Sequence, residues 1–283
     1  MAFVFLLRKG PKIGMILILF VNVFLLAFLL VGCTTSESRY SDVYLLQYEF
    51  NQSSSMFPLI ESAYEKTNSK SMSKMKVRVG YKGICVEANG TNSCSTSLGS
   101  TDYKSTYPGV SLYNTGSNST TTSMNLVDIA VQYNAKVSEP FVLMASLVLT
   151  LLLLVSLVYG SIPFLPWKHV CSYTSFSLSA ILCILWGIGA MWAHVAANAG
   201  AKLSATSSMT IVAATIGSRA AAMIWCSFSF YIVALFGTIF GLVAEIRRRR
   251  DLFEKDSKSL ASSMSGSHAA KNPFENSRFR QFV

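Results

Sequence analysis

The amino-acid sequence predicts a mainly α membrane protein, a four-transmembrane-helix bundle carrying a small extracellular antiparallel β-sheet domain. Three observations predict it. The chain is 51% hydrophobic and only 13% charged, whereas soluble domains carry about 25% charged residues. The apolar residues gather in a few long runs, set apart by one large polar segment and short connections. The basic residues flank those runs: Arg8, Lys9 and Lys12 precede the first, and Arg247 to Arg250 follow the last. That distribution is the positive-inside pattern and puts both termini in the cytosol. The formal net charge of +10 therefore describes membrane flanks. Residues 34–139 hold nine bases and nine acids, so no nucleic-acid partner is expected.

Residues 1–12 form the cytosolic N-terminus and 13–32 the first span. At about 1.5 Å per residue this run covers the roughly 30 Å hydrocarbon core. Two other readings compete there, a cleaved signal peptide and a bacterial lipoprotein site at Leu30-Val31-Gly32-Cys33. A signal peptide has an apolar stretch of about 7–15 residues, and its removal leaves the later segments on the same sides. Residues 33–139 form an extracellular disulfide-containing loop domain, and 140–160 the second span. In the cytosolic loop 161–175, Pro163 and Pro166 break the helix, Trp167 anchors at the interface and Lys168 marks the cytosolic side. The third span is 176–197, a short extracellular loop takes 198–212, and the fourth span is 213–244, starting at Ala213 or Ala220. Arg219 belongs at its outer end, reaching headgroups. Residues 245–283 read as a Ser-rich, disordered cytosolic tail.

The loop domain carries three glycosylation signals, at Asn51, Asn89 and Asn118, all on the side assigned as outside. Cys85 and Cys94 are its two internal cysteines. In an oxidising compartment such a pair bonds. Between them lies Asn89-Gly90, a hairpin-turn pair, and Met75 to Cys85 alternates in part, as a half-exposed strand does. The reading is a disulfide clamping a two-stranded hairpin, worth about 2–3 kcal/mol. A metal site competes, but no histidine stands nearby, and neither metal nor cofactor is expected. Further strands are expected at Val43 to Phe50 and Leu126 to Val131, the second also readable as a helical lead-in to the second span. Cys33, Cys171, Cys183 and Cys226 lie in or beside spans and read as small apolar filler, with Cys171 placed for palmitoylation.

Four spans with a large first outer loop and a short second one resemble the claudin-like superfamily. Gly80, five residues before Cys85, matches that pattern, but Lys82 stands where claudins carry tryptophan, which argues against a tight-junction role. The string Gly80-Tyr81-Lys82-Gly83-Ile84-Cys85, followed by Cys94, resembles the fungal mating-factor-induced family, described as calcium regulators and membrane-fusion proteins. The plan covers nearly the whole chain, and the motif covers residues 80–94. The resemblance implies a non-enzymatic, multi-pass plasma-membrane protein at the mating contact zone or projection tip. It further implies support of membrane fusion, pheromone-linked calcium influx, and membrane-fusion or calcium-channel proteins as partners. Fungal eisosome-type and pH-sensing four-pass families share the plan, so a cortical membrane-domain organiser is an alternative reading; a calcium-channel subunit is another.

The sequence shows no catalytic set. His169, His194 and His268 are scattered, and no Ser-His-Asp group, metal cluster or phosphate loop stands out. The spans hold no acid near their centres, Glu139 and Glu245 lying at boundaries. A pore lined by one copy's helices is therefore disfavoured, and indirect action on calcium is expected. Small residues four apart (Gly189, Ala193 and Ala197; Ala213, Gly217 and Ala221; Gly237 and Gly241) fit close helix packing, within the bundle or in a homo-oligomer. The arginine run can touch anionic lipid at about 1 kcal/mol per residue. Asn272-Pro273-Phe274 is a turn able to present phenylalanine to endocytic adaptor domains.

Overall fold

The computed structural model describes residues 2–67, 75–88, 90–96, 110–113, 122–138, 140–162 and 168–269. Among the described residues, four helices are long and apolar enough to cross a membrane, over Lys12–Val31, Pro140–Ser161, Val170–Ser207 and Ser218–Lys255. They belong to α1 (Ala2–Val31), α5 (Pro140–Ser161), α6 (Lys168–Ser207) and α7 (Ser218–Ala269). Between α1 and α5 come α2 (Ser38–Ser41), β1 (Leu46–Phe50), α3 (Phe57–Thr67), β2 (Lys76–Val79), β3 (Ile84–Ala88), β4 (Thr91–Ser95), β5 (Val110–Tyr113), β6 (Thr122–Met124) and α4 (Leu126–Lys136). One more strand, β7 (Val212–Ile216), joins α6 to α7. The chain forms two compact units, Met1–Gly237 and Thr238–Val283. The described part of the second is helical, with Arg249 paired to Glu245 one turn earlier at 3.9 Å.

In the first unit two cores form. One lies among the spanning helices, where Leu19 and Leu26 of α1, Leu143 and Leu153 of α5, Leu182 and Trp186 of α6, and Ile224 and Tyr231 of α7 are buried together. Lipid tails are as apolar as leucine, so helices associate through close packing rather than through escape from water. Glycines provide that approach. A Cβ on Gly187 would lie 3.0 Å from the Phe228 ring, and one on Gly189 would lie 3.1 Å from Cγ1 of Val142.

The other core belongs to a five-stranded antiparallel sheet in the order β4-β3-β2-β1-β7. Strand side chains alternate between faces. On one face Leu46, Tyr48 and Phe50 of β1, Val77 and Val79 of β2, and Ile84, Val86 and Ala88 of β3 are buried, covered by α3 and α4. Helix α4 begins where Asn125 Oδ1 accepts from the Val127 N–H at 2.9 Å, satisfying one of the free donors of the first turn. β5 and β6 pair separately as a two-stranded ribbon.

The structure departs from the sequence reading at four places. Helix α6 continues past 197 to Ser207. Its 40 residues span about 60 Å, twice a bilayer core. The Ala- and Gly-rich excess packs on the sheet, where Gly200 faces Tyr133 and Leu46. Val212–Ile216, expected as the end of the short outer loop and, in the longer of the two readings, the start of the fourth span, is instead β7, and α7 starts at Ser218. The strand covers an edge that β1 would otherwise leave open. Leu126 to Val131 takes the helical of its two readings, whereas α3 was not anticipated. Residues 245–269, expected to be disordered, continue α7. Residues 270–283, with Asn272, Pro273 and Phe274, lie outside the described residues.

Candidate functional site: a disulfide-closed hairpin seated on the first span

The hairpin β3–β4 pairs Cys85 directly with Cys94, and their sulfurs are bonded. The motif preceding Cys85 is the turn between β2 and β3. The Gly80 N–H donates to the Gly83 carbonyl at 2.9 Å, closing that turn. Both glycines lie against the C-terminal end of α1. A Cβ on Gly80 would sit 3.0 Å from Cβ of Cys33 and closer still to the Gly32 carbonyl oxygen; one on Gly83 would meet the Cys33 backbone at 2.8 Å. Neither position has room for a side chain, because two backbones touch there. Tyr81 turns into the helix core, and Lys82, at the apex, is exposed. Ile84 anchors the start of β3 in the sheet core.

Neighbouring elements fasten the turn. The buried Asn134 of α4 donates from Nδ2 to the Gly80 carbonyl at 2.8 Å, and Ser138 Oγ donates to that of Tyr81 at 3.4 Å. The chain leaves α1 through Cys33, whose φ of 59° is left-handed and ends the helix. Cys33 is fully buried, and burial pushes its thiol up to about 12, so it stays a thiol at neutral pH. The motif glycines thus join the sheet to the first spanning helix.

The disulfide lies on the polar face of the sheet, opposite the core. Beside it Arg78 faces Cys85 across one strand and Gln47 across the other. The Arg78 side chain, 15% exposed, pairs with Glu87 at 3.0 Å and Asp42 at 3.3 Å. It also donates from Nε to Gln47 Oε1 at 3.0 Å, and its guanidinium lies 5.4 Å from the Tyr44 ring centre. Asp42 in turn accepts from Arg219, at the start of α7, at 3.0 Å. Lys76 and Glu49 add a 3.7 Å pair. The Arg219 side chain is 64% exposed and adds little by itself, since such pairs are worth about 0–1 kcal/mol. Arg78 is a different case. Its planar fork, held from three sides and largely desolvated, fixes the segment Asp42–Gln47 against the hairpin.

The sequence reading identified the hairpin, the cysteines and the motif, but not this network. Strand alternation places Lys76, Arg78, Gln47 and Glu49 on one face, which was a usable signal. Arg219 carried none, because Asp42 is far away in sequence and the expected partner was lipid. Of the glycosylation signals, Asn51 ends at the sheet, its Nδ2 donating to the Thr210 carbonyl at 3.0 Å. Asn89 and Asn118 lie outside the described residues.

No solved structure matches the chain. It is similar to the Factor-induced gene 1 protein of Saccharomyces cerevisiae, at 31% identity over 291 residues, covering 96% of this chain and 93% of that protein. Residues 62–245, which include the motif turn, the disulfide, Arg78 and Arg219, match the family described as "Ca2+ regulator and membrane fusion protein Fig1". A four-span membrane chain with this hairpin and this match therefore belongs to the Fig1 family of Ca2+ regulators and membrane-fusion proteins.

Proposed function

We propose that the chain is a non-enzymatic plasma-membrane protein that supports plasma-membrane fusion between mating fungal cells and promotes calcium influx during the response to pheromone. The observation that carries this reading is the similarity to the yeast Factor-induced gene 1 protein over nearly the whole length. In this reading the sheet lies outside the cell and both termini lie in the cytosol. Asn51, Asn89 and Asn118 are then glycan sites on the sheet side, and Asn272-Pro273-Phe274 recruits endocytic adaptors to the tail. Action on calcium is indirect, through channel or fusion proteins that recognise the outer face of the hairpin.

The hairpin is the part to test. In mating cells lacking the gene, the intact chain restores fusion and pheromone-stimulated calcium uptake. The double variant Cys85→Ser/Cys94→Ser removes a short closed loop worth about 2–3 kcal/mol and restores neither. Full fusion by a double variant present at normal surface level overturns the role of the hairpin. Constant cortical patches, unaffected by mating signals, would instead favour a membrane-domain organiser, and calcium currents from the purified protein in liposomes would favour a channel.

A further inference from the structure

Where the spanning helices meet the sheet, a cavity of about 230 Å³ opens on the flank of the bundle. We propose that it is a lipid site, holding a segment of one acyl chain of a phospholipid from the leaflet on the sheet side.

Depth is the first argument. Val142 and Leu143, in the first turn of α5, line one wall, and residues Leu185 to Ala196 of α6 line another. From Val170, about 20 residues of helix reach across a bilayer core, to near 190. Both helices thus place the cavity in the outer part of the hydrocarbon and the adjoining interface. Trp192 Nε1 donates to the Val137 carbonyl at 3.2 Å, the arrangement of an interface aromatic with a wet end and an apolar end.

The opening is the second. Ile188 is 67% exposed and Trp192 57% exposed, and both line the cavity. The same side chains that face lipid on the outside of α6 therefore form its mouth. Trp186, 1% exposed, forms the floor, and Tyr81 of the motif turn closes the sheet end. The space is continuous with the lipid-facing surface of the bundle.

The chemistry and size are the third. The lining is apolar apart from Ser138 and the aromatic polar atoms, and Ser138 already donates to Tyr81. An apolar cavity of about 150 Å³ stays dry and takes up benzene. This one is half as large again, which suits a run of methylenes and is too small for a whole sterol. In a bilayer the occupant gains no escape from water; it gains the dispersion contacts that an empty cavity forfeits. The site therefore selects by shape, and its occupant exchanges with bulk lipid.

The full chain is reconstituted in phosphatidylcholine vesicles containing a phosphatidylcholine with a photoactivatable diazirine on one acyl chain. The upper-chain probe labels the peptide carrying Ile188 and Trp192 severalfold more than the α1 peptide carrying Phe28 and Val31, which is also exposed and lies at the same depth. A probe at the chain terminus, which lies near the bilayer centre, loses that preference. The cavity-filling variants Ala193→Leu and Ala196→Leu reduce the α6 label severalfold and leave the α1 label unchanged. Val195→Leu, on the exposed flank, changes neither. Equal labelling of α6 and α1 by the upper-chain probe overturns the proposal, as does displacement of the label by a sterol. If the filled variants fail to form the Cys85–Cys94 bond, the depth preference of the unaltered chain alone decides.

Discussion

The sheet and the bundle meet in one chain, yet they hold together by different physics. In the sheet, alternate side chains of β1, β2 and β3 leave water for a common core, and each square ångström buried is worth about 25 cal/mol. Its interior is built from large side chains. In the bundle the surroundings are already apolar, so what matters is how closely the helices come together. Its contacts run through missing side chains, at Gly187 against Phe228 and at Gly189 against Val142. The same kind of substitution should therefore have opposite consequences in the two halves. Removing volume damages the sheet, and adding volume damages the bundle.

The largest effect is expected where the sheet loses volume. Leu46 lies on the central part of the sheet, fully buried between Val79 on β2 and Ile216 on β7. Leu46→Ala should cost about 2–5 kcal/mol, the transfer term plus the cavity left behind. Resistance of the sheet segment to protease, followed against temperature, reads it out. A truncation on the lipid-facing flank of the bundle, Leu152→Ala, opens no cavity and should leave the profile unchanged. A Leu46→Ala protein as resistant as the original would show that the sheet core does not carry the fold.

The two halves were also unequally readable from sequence. Long apolar runs announced the spanning helices, because a bilayer demands length and little else. The disulfide hairpin was readable from its cysteines, its Asn-Gly turn and its alternation. What was missed are the joints. Gly80 and Gly83 stand in the motif, but the backbone they touch, Gly32 and Cys33, lies some fifty residues earlier, and close approach leaves no local trace. Val212–Ile216 is an apolar run that adjoins an apolar helix, so composition assigns both to one span; only its pairing with β1 makes it a strand. Helix α4, by contrast, did carry its signal. Asn125 as cap, Asp128 in the first turn, and Leu126, Ala130, Tyr133 and Asn134 at helical spacing all favour a helix over a strand.

The next effect comes from adding volume to the bundle. At Gly187 an added Cβ would already lie 3.0 Å from the Phe228 ring, and nothing longer fits without separating α6 from α7. Gly187→Leu should cost about 1–3 kcal/mol through overpacking, read as a lowered thermal transition of the purified protein in detergent. Gly241→Leu is the control, since a Cβ there meets nothing within 4 Å. Equal destabilisation by both would mean that glycine matters for the helix backbone and not for the contact.

The smallest effect tests whether polar contacts add to the bundle. Thr150 of α5 and Tyr231 of α7 are fully buried, with their hydroxyls 2.5 Å apart. They stand near the middle of their spans, where no water competes for the bond. Intuition from water-soluble cores would make such a bond strong. In a membrane the separated helices also find partners for these groups, so the interaction should be worth about 0.6 kcal/mol and no more than about 1.7. Thr150 Oγ1 also bonds the Ser146 carbonyl within its own helix, which gives it a fallback partner and pushes the value toward the lower figure. A double-mutant cycle with Thr150→Val and Tyr231→Phe isolates the pair. A coupling well above that range would mean that a hydrogen bond, and not the glycine contacts, sets the register of α5 against α7.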